Sequence, residues 1–321
     1  ARGVRQYPCA STFKTFKLLK LISNNVSGLS AADGLKSNFK MKKNLFLALC
    51  LITLSPLCLM AETIPANDSR VVFVGRTAVD GTSVSFDWTA TYFRIAFSGQ
   101  SLTMKASETK WDADADKAAT RHNYYNVWID SPTSAEPHRI IEVAGNDTVI
   151  ELVDPLYLKK SRRSVHEVIV QKRTEGEQGK TTIHEFTTNG KFFQAETLKE
   201  RQLEFIGDSY TCGYGIDAPS RKDRFTPETE NASRSYAGIV SRYFDADYVA
   251  IAHSGMGIAR NYNSKFKNWW MPDRYLQTFD EDSTQVNRWD ATKSDFHPAM
   301  TIVYLGANDF STSLAPRYED F

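Results

Sequence analysis

Two glycine-led motifs, each directly after a short apolar run, constrain the fold of this chain most. Gly-Asp-Ser occupies residues 207–209 after the apolar run 203–206, and Gly-Ala-Asn-Asp occupies residues 306–309 after a second such run. Short apolar runs of this kind are typical of buried strands in a parallel sheet, and open α/β sheets place their active sites at the carboxyl ends of those strands. The sequence therefore predicts one site that combines the Ser209 hydroxyl with the Asn308 amide.

The rest of the second half of the chain alternates strand and helix patterns. A third strand is predicted at residues 248–252, just before Gly255. Between the predicted strands at residues 203–206 and 248–252, residues 233–244 place apolar side chains at helical spacing, with Ser233 as a candidate N-cap. Strand, helix and strand, with a glycine after each strand end, predict a three-layer α/β domain with a parallel sheet, which we assign to residues 196–321.

Residues 71–193 carry the pattern of an all-β domain. Positions 91–97 alternate at period two, and residues 124–129 and 167–170 are rich in β-branched and aromatic side chains. Turn signals separate these segments, at residues 80–81, 98–99, 145–147 and 189–190. Many short strands at such spacing predict a β-sandwich, which we assign to residues 62–195.

Residues 41–61 have the features of a bacterial secretory signal peptide: a basic start after Met41, an apolar stretch and a small residue at Ala61. They predict a secreted or periplasmic protein without stable membrane insertion after cleavage. The alternative is an uncleaved membrane anchor, but the stretch is short and Pro56 interrupts it. Because signal peptides begin at the initiator, residues 1–40 are expected to be translated upstream sequence and not part of the protein.

Charge and cysteine content argue against a nucleic-acid ligand, an intrachain disulfide and a bound metal or cofactor. Of the 39 basic and 38 acidic residues, 9 basic and one acidic lie in residues 1–61, which leaves a net charge of −7 in residues 62–321. A mildly acidic body argues against a nucleic-acid ligand, because phosphate binding needs clustered Lys and Arg. Of the four cysteines, only Cys212 follows the predicted signal, so no intrachain disulfide is expected. No His or Cys cluster there has zinc-ligand spacing, so neither a metal nor a cofactor is expected.

The predicted site contains the parts needed for attack on an ester. A serine hydroxyl is a nucleophile once a base removes its proton, and the tetrahedral intermediate needs fixed donors for its oxyanion. The candidate donors are the backbone N–H groups of Ser209 and Gly255 and the side-chain amide of Asn308.

A general base for Ser209 is missing from the sequence as read to Phe321. His253 lies two positions before Gly255, which disfavours it as the base, and His297 is expected in the loop that leads into the last strand. The general base is therefore expected not to be in this chain. The domain is expected to be C-terminally incomplete and the fragment itself inactive.

Two further clusters leave alternatives open. Asp112, Asp114 and Asp116 have the spacing of a calcium loop, but the following residues depart from the EF-hand pattern, which favours a solvated acidic loop. The aromatic residues after Gly255 could stack on a sugar ring or pack in the core, and the sequence does not decide between these readings; they are Tyr262, Trp269 and Trp270.

Residues 207–215, 254–262 and 306–309 resemble the SGNH (GDSL-like) hydrolase superfamily, and most of all carbohydrate esterase family 2. The resemblance implies a jelly-roll-like β-sandwich followed by an SGNH hydrolase domain. It also implies that Ser209 is the nucleophile and that Ser209, Gly255 and Asn308 form the oxyanion hole. The last block of the family, which carries the catalytic histidine, has no counterpart here, and no catalytic acid is assigned.

The implied activity is metal-independent removal of acetyl groups from plant polysaccharides such as xylan and glucomannan. The sequence thus predicts a secreted carbohydrate O-acetyl esterase that acts on an acetylated polysaccharide or oligosaccharide through a serine acyl-enzyme. Two alternatives stay open: an SGNH esterase or lipase of other specificity, and a non-catalytic carbohydrate-binding protein.

Overall fold

The computed structural model describes residues 61–111, 121–264, 269–284 and 286–311. The predicted upstream segment, nearly all of the predicted signal peptide and the acidic loop at residues 112–116 lie outside the described residues. No helix in the described ranges has the length and apolarity needed to cross a bilayer.

The first part of the described chain consists mainly of strands. They are β1 (Glu62–Pro65), β2 (Val72–Val74), β3 (Ala78–Asp80), β4 (Ser83–Phe86), β5 (Tyr92–Phe97), β6 (Leu102–Thr109), β7 (Asn123–Ile129), β8 (Arg139–Val143), β9 (Thr148–Glu151), β10 (His166–Lys172), β11 (Lys180–Thr188) and β12 (Phe192–Phe193). One helix, α1 (Pro155–Lys160), and a 3₁₀ turn, Gly176–Gln178, interrupt the series.

These strands form two antiparallel sheets of six strands each. One has the order β3-β4-β11-β6-β9 with β1 paired to β11, and the other has the order β12-β5-β10-β7-β8 with β2 paired to β5. The inner side chains of both sheets share one apolar core: the Phe93 and Phe186 rings lie 5.2 Å apart across it. The Tyr125 hydroxyl donates across the same core to Thr181 Oγ1 at 2.6 Å. The prediction of an antiparallel β region is confirmed, and its jelly-roll connectivity stays a prediction.

The second part of the chain builds a parallel sheet with the order β14-β13-β15. Its strands are β13 (Gln202–Gly207), β14 (Asp247–Ala252) and β15 (Met300–Tyr304), and its helices are α2 (Ser209–Cys212), α3 (Tyr236–Tyr243) and α4 (Met271–Tyr275). In the register of this sheet, Gly207 is paired with Ala252 and with Tyr304, so the three strands end level with one another. The motifs that follow the strands therefore meet at one edge. The three-layer arrangement stays a prediction.

The predicted N-cap at Ser233 is wrong. Residues Ala232–Arg234 form a 3₁₀ turn, and α3 begins after Ser235, which is its N-cap. The Ser233 carbonyl instead accepts a hydrogen bond from Arg242 at 2.7 Å, and the Ser235 hydroxyl donates to the Ala232 carbonyl at 2.8 Å. These tertiary and turn contacts outweigh the local capping preference.

Buried charged side chains of the sandwich connect it to the domain with the parallel sheet. Arg94 on β5 forms an ion pair with Asp247 on β14, and the Tyr92 hydroxyl donates to the same carboxylate at 2.7 Å. Arg173 donates to Asp217 at 2.7 Å. Because a buried charge is costly unless it is paired, these contacts specify one relative placement of the two domains.

Candidate active site

Ser209 lies at the point where β13 turns into α2. Asp208 caps this short helix, its carboxylate accepting the Tyr210 N–H at 3.1 Å. Gly207 is required by the tightness of the turn, since a Cβ there would lie 1.9 Å from Thr211 Oγ1. Ser209 is half-buried, and its hydroxyl has no hydrogen-bond partner in the part of the chain that the structure describes. The hydroxyl is thus available to a ligand.

Gly255 follows β14 in a turn that needs glycine for its conformation. Its φ of +79° lies in the left-handed region, where other residues are strained, although a Cβ would meet only Tyr262 at 3.7 Å. The Gly255 carbonyl accepts the Tyr262 N–H at 2.7 Å, and the Met256 N–H is donated to the His253 carbonyl at 3.3 Å. These bonds set the orientation of the peptide groups on both sides of Gly255.

Asn308 connects the other two motifs. Its side-chain amide donates to the Met256 carbonyl at 2.8 Å and to Asp208 Oδ2 at 3.2 Å. It therefore contacts the residue before Ser209 and the residue after Gly255. Through these two bonds the structure connects the three motifs that carry the sequence-predicted residues Ser209, Gly255 and Asn308.

Asp309 has a structural task that sequence reasoning missed. The carboxylate is fully buried and accepts three consecutive backbone N–H groups, those of Ile258 at 3.1 Å, Ala259 at 2.6 Å and Arg260 at 3.0 Å. It closes the loop that follows Gly255 onto the end of β15. No local pattern in the sequence signals this contact, because its partners lie about fifty positions away.

His253 belongs to a buried ionic cluster. Its Nδ1 lies 2.7 Å from Asp280 Oδ2 and 3.6 Å from Glu175 Oε2, and Arg274 also contacts Asp280, at 2.7 Å. Burial by itself would lower the pKa of His253, but Asp280 and Glu175 raise it, to about 9. Burial would raise the pKa of Asp280, and the positive charges of His253 and Arg274 hold it below its usual value. The pair is therefore charged at neutral pH.

The other histidines are also engaged away from the serine. His297 is exposed in the loop before β15, as expected, and its N–H bonds Gln202. His166 pairs with Asp130 at 2.6 Å. All six histidines of the chain lie in the described ranges, and within those ranges none of them forms a hydrogen bond with the Ser209 hydroxyl.

The cluster around His253 carries more acids than cations. Burial, with Asp280 nearby, raises the pKa of Asp87 to about 7, and burial lowers the pKa of Lys172 to about 8. Burial also raises the pKa values of Glu175 and Glu230. One carboxylate oxygen of each of these two glutamates has no hydrogen-bond partner in the structure. Burial thus disfavours the charged form of these groups, the three acids and Lys172 alike.

Three sets of side chains in this region have donor atoms within 4.8 Å of one another, as a metal site requires. They are Glu175, Cys212 and Glu230; Glu175, Glu177 and His253; and His253, Asp280 and Glu281. The carboxylates already face the positive charges of Lys172, His253 and Arg274. These cations would repel a metal ion placed among them.

The three aromatic candidates differ in their surroundings. Tyr262 is 59% exposed beside Gly255 and leaves a ring face open. Trp269 lies half-buried under the guanidinium of Arg274, 5.3 Å from its ring centre, in the arrangement of a packing residue. Trp270 is half-buried, and its carbonyl accepts the first backbone bonds of α4. Of the three, Tyr262 is the best placed to contact a sugar.

Family comparison agrees with this arrangement. The family described as carbohydrate esterase 2 N-terminal matches residues 73–195, and the family described as GDSL-like lipase/acylhydrolase matches residues 203–321.

Two bacterial relatives match more than half of the chain. The chain is 31% identical over 267 residues to an acetylxylan esterase/glucomannan deacetylase of Cellvibrio japonicus, covering 79% of this chain and 63% of that protein. It is 35% identical over 191 residues to the cellulase/esterase CelE of Acetivibrio thermocellus, covering 59% of this chain and 22% of that protein. The chain thus spans less than two thirds of the length of these two relatives.

The fold is also similar to that of a solved family two carbohydrate esterase from Clostridium thermocellum in complex with cellohexaose. The TM-score is 0.65 at 29% identity, over 77% of this chain and 68% of that one. With a carbohydrate esterase 2 N-terminal domain joined to a GDSL-like acylhydrolase domain, the chain is a relative of the family 2 carbohydrate esterases, as its sequence motifs indicate.

Proposed function

We propose that this chain is the sandwich and nucleophile-bearing part of a secreted O-acetyl esterase that deacetylates plant polysaccharides such as xylan and glucomannan. The observation that carries the proposal is the position of Asn308, whose amide joins the residue next to Ser209 to the residue next to Gly255. Two relatives from Cellvibrio japonicus are named acetylxylan esterase/glucomannan deacetylase, which supports the acetyl and polysaccharide specificity.

In this proposal the Ser209 hydroxyl gives its proton to the general base, and its oxygen attacks the acetyl carbonyl. The bond between the acetyl carbon and the sugar oxygen then breaks, the sugar leaves as its free hydroxyl with that proton, and the acetyl group stays on Ser209 as an acetyl-enzyme. Negative charge develops on the carbonyl oxygen, and the N–H groups of Ser209, Gly255 and Asn308 stabilise it. Both amide hydrogens of Asn308 have acceptors in the free site. Donation to the oxyanion would therefore replace or share the longer bond, the one to Asp208. Water then hydrolyses the acetyl-enzyme and releases acetate.

The general base is proposed to come from outside this sequence. The nucleophile needs a base within hydrogen-bond reach, and the histidines are held by other groups, His253 by Asp280 and His166 by Asp130. Asp208 is better explained as the cap of α2 than as a catalytic acid, because its carboxylate is occupied by the Tyr210 N–H and Asn308.

The substrate is proposed to lie along the exposed ring of Tyr262. An aromatic face beside Gly255 can pack against the apolar face of a sugar and so orient the acetylated hydroxyl. Trp269 and Trp270 are proposed to support this loop, since the Trp269 ring packs against Arg274 and the Trp270 carbonyl accepts the first backbone bonds of α4.

The test compares the protein from the complete reading frame with its Ser209→Ala variant. We expect acetate release from acetylated xylan, acetylated glucomannan and 4-nitrophenyl acetate, and a loss of at least about 10³-fold in the variant. The melting temperature should hardly change, because little packing is lost. An unchanged rate in the variant would remove Ser209 as the nucleophile.

A second candidate, a carbohydrate-binding protein without catalysis, is favoured by one observation: in the described ranges no histidine bonds Ser209. The same experiment separates the two. Binding of xylan by the unaltered protein with no acetate release would support the second candidate. A strong preference for long-chain acyl esters would instead support an esterase or lipase of other specificity.

A further inference from the structure

Glu175 is a carboxylate of the β-sandwich that reaches into the hydrolase domain. It follows β10 at the start of the 3₁₀ turn Gly176–Gln178 and is fully buried. Its Oε2 accepts the Ser254 backbone N–H at 2.6 Å and lies 3.8 Å from the Cys212 sulfur. Ser254 precedes Gly255, and Cys212 ends the helix that begins with Ser209. One side chain of the sandwich thus contacts both segments of the candidate site.

The turn that carries Gly255 is held at several points. The His253 N–H is donated to the Gly207 carbonyl at 3.3 Å, and Tyr262 bonds the Gly255 carbonyl. Between them, the Ser254 N–H has Glu175 as its acceptor. That bond restrains the backbone of Ser254 and hence the direction of the next N–H, which belongs to Gly255.

The segment around Glu175 is itself fixed from both domains. Lys172 Nζ donates to the Glu175 carbonyl at 2.8 Å, and the Glu175 N–H is donated to Glu230 Oε2 at 3.1 Å. Gly176 allows a close approach, because a Cβ there would lie 2.5 Å from Asp280 Oδ2. The Asp280 backbone N–H is in turn donated to the carboxylate of Asp87, a residue of the sandwich, at 2.8 Å.

We propose that Glu175 is a positioning residue for the oxyanion hole: through the Ser254 N–H, the β-sandwich sets the orientation of the Gly255 N–H. The proposal rests on the proposed function in that it takes Gly255 as an oxyanion donor. It assigns the sandwich a part in the reaction, beyond any part in binding polysaccharide.

The test uses Glu175→Ala and Glu175→Gln in the protein from the complete reading frame. Alanine leaves the buried Ser254 N–H without an acceptor. Glutamine keeps an acceptor oxygen for it and nearly the same side-chain volume. A matched control is Glu108→Ala, because Glu108 is also buried in the sandwich but bonds only sandwich residues, Asn123 and Lys110 among them.

The first readout is hydrogen exchange of the peptide covering residues 251–257, which does not depend on activity. We expect faster exchange in Glu175→Ala, and exchange like that of the unaltered protein in Glu175→Gln and Glu108→Ala. Unchanged exchange in Glu175→Ala would overturn the proposal, whatever the enzyme does.

The second readout is the hydrolysis of 4-nitrophenyl acetate. We expect kcat to fall about 10- to 100-fold in Glu175→Ala with KM changed little, as a misplaced donor would produce. Glu175→Gln should lie within about threefold of the unaltered protein. An equal loss in Glu175→Ala and Glu108→Ala, or no rescue by glutamine, would mean a role in stability only. An unaltered protein without activity, but with the expected exchange pattern, would refute the proposed function and leave the placement of the Gly255 turn by Glu175 standing.

Discussion

Asn308 gives the clearest prediction at the scale of single residues. In Asn308→Ala we expect kcat to fall by roughly 10²–10³, the usual cost of one lost oxyanion donor. KM should change much less, because the interaction strengthens as charge develops in the transition state. Steady-state kinetics on an aryl acetate measure both constants.

The control for Asn308 is Asn67→Ala, which removes an exposed side chain of the sandwich that bonds only the Gly81 carbonyl. It should leave kcat unchanged. A loss in Asn308→Ala that appears in KM alone would move Asn308 from transition-state stabilisation to substrate binding.

His253 makes a pH-dependent contribution to stability. Its pKa is raised from 6.5 to about 9 in the folded protein, where Asp280 outweighs the effect of burial. A group with a raised pKa makes its full contribution to stability at pH values below its pKa in the unfolded state. For His253 this contribution is lost as the pH rises from about 6.5 to about 9. In His253→Gln we expect the free energy of unfolding to lose this dependence, which is worth about 3 kcal/mol.

Urea unfolding at several pH values between 6 and 10 measures the effect. Asp87 and Lys172 titrate nearby but are present in both proteins, so the difference isolates His253. His297→Gln, which alters an exposed histidine, is the control and should follow the unaltered protein. Parallel pH profiles for all three proteins would contradict the charged His253–Asp280 pair.

At the scale of elements, the Asp309 carboxylate joins the end of β15 to the loop after Gly255. Asp309→Ala would leave three backbone N–H groups without their charged acceptor. Since each such bond contributes about 1.5–3 kcal/mol, we expect a loss of at least about 3 kcal/mol of stability. Chemical denaturation, with hydrogen exchange of residues 257–261, is the measurement.

Asp290→Asn is a suitable comparison, because Asp290 also accepts a backbone N–H, that of Thr292, but lies exposed in the loop before β15. It should leave exchange at residues 257–261 unchanged. If Asp309→Ala exchanges no faster there than Asp290→Asn, the loop is held by other contacts, such as the bond from Arg260 to the Asp309 carbonyl.

At the scale of the whole molecule, buried charges make the two domains interdependent. Arg94→Met leaves Asp247 buried without its cation, and Asp247→Asn leaves Arg94 buried without its anion. Each single change should cost about 3–5 kcal/mol. The double variant should cost clearly less than the two together, because both charges are then gone.

Thermal unfolding followed by tryptophan fluorescence and by circular dichroism tests this coupling. The unaltered protein should unfold in one transition with both probes. Lys199→Ala, which removes the partner of the exposed Asp245, should change the melting temperature little, as expected of a surface pair. Strictly additive losses for Arg94→Met and Asp247→Asn would show that the pair is not coupled.

The sequence by itself determined several strands of this protein and the order of its β and α/β parts. Apolar runs and period-two alternation depend on neighbours a few positions apart, so they predicted β5, β7, β10 and the three parallel strands. Because parallel strands end at one edge of a sheet, the same patterns also predicted that Ser209, Gly255 and Asn308 would meet. The start of α3 escaped this reasoning, since a 3₁₀ turn and the reach of Arg242 decided it.

Only the tertiary structure decided what holds the site in place. Glu175 and Ser254 are 79 positions apart, and Asp87 and Asp280 are 193 apart. No local sequence pattern around Glu175 or Asp87 predicts that its side chain is buried. A buried carboxylate is stabilised by whichever donors the fold brings to it. Local patterns place a side chain on a strand or a turn, while its partners, its burial and its charge depend on how the two domains pack.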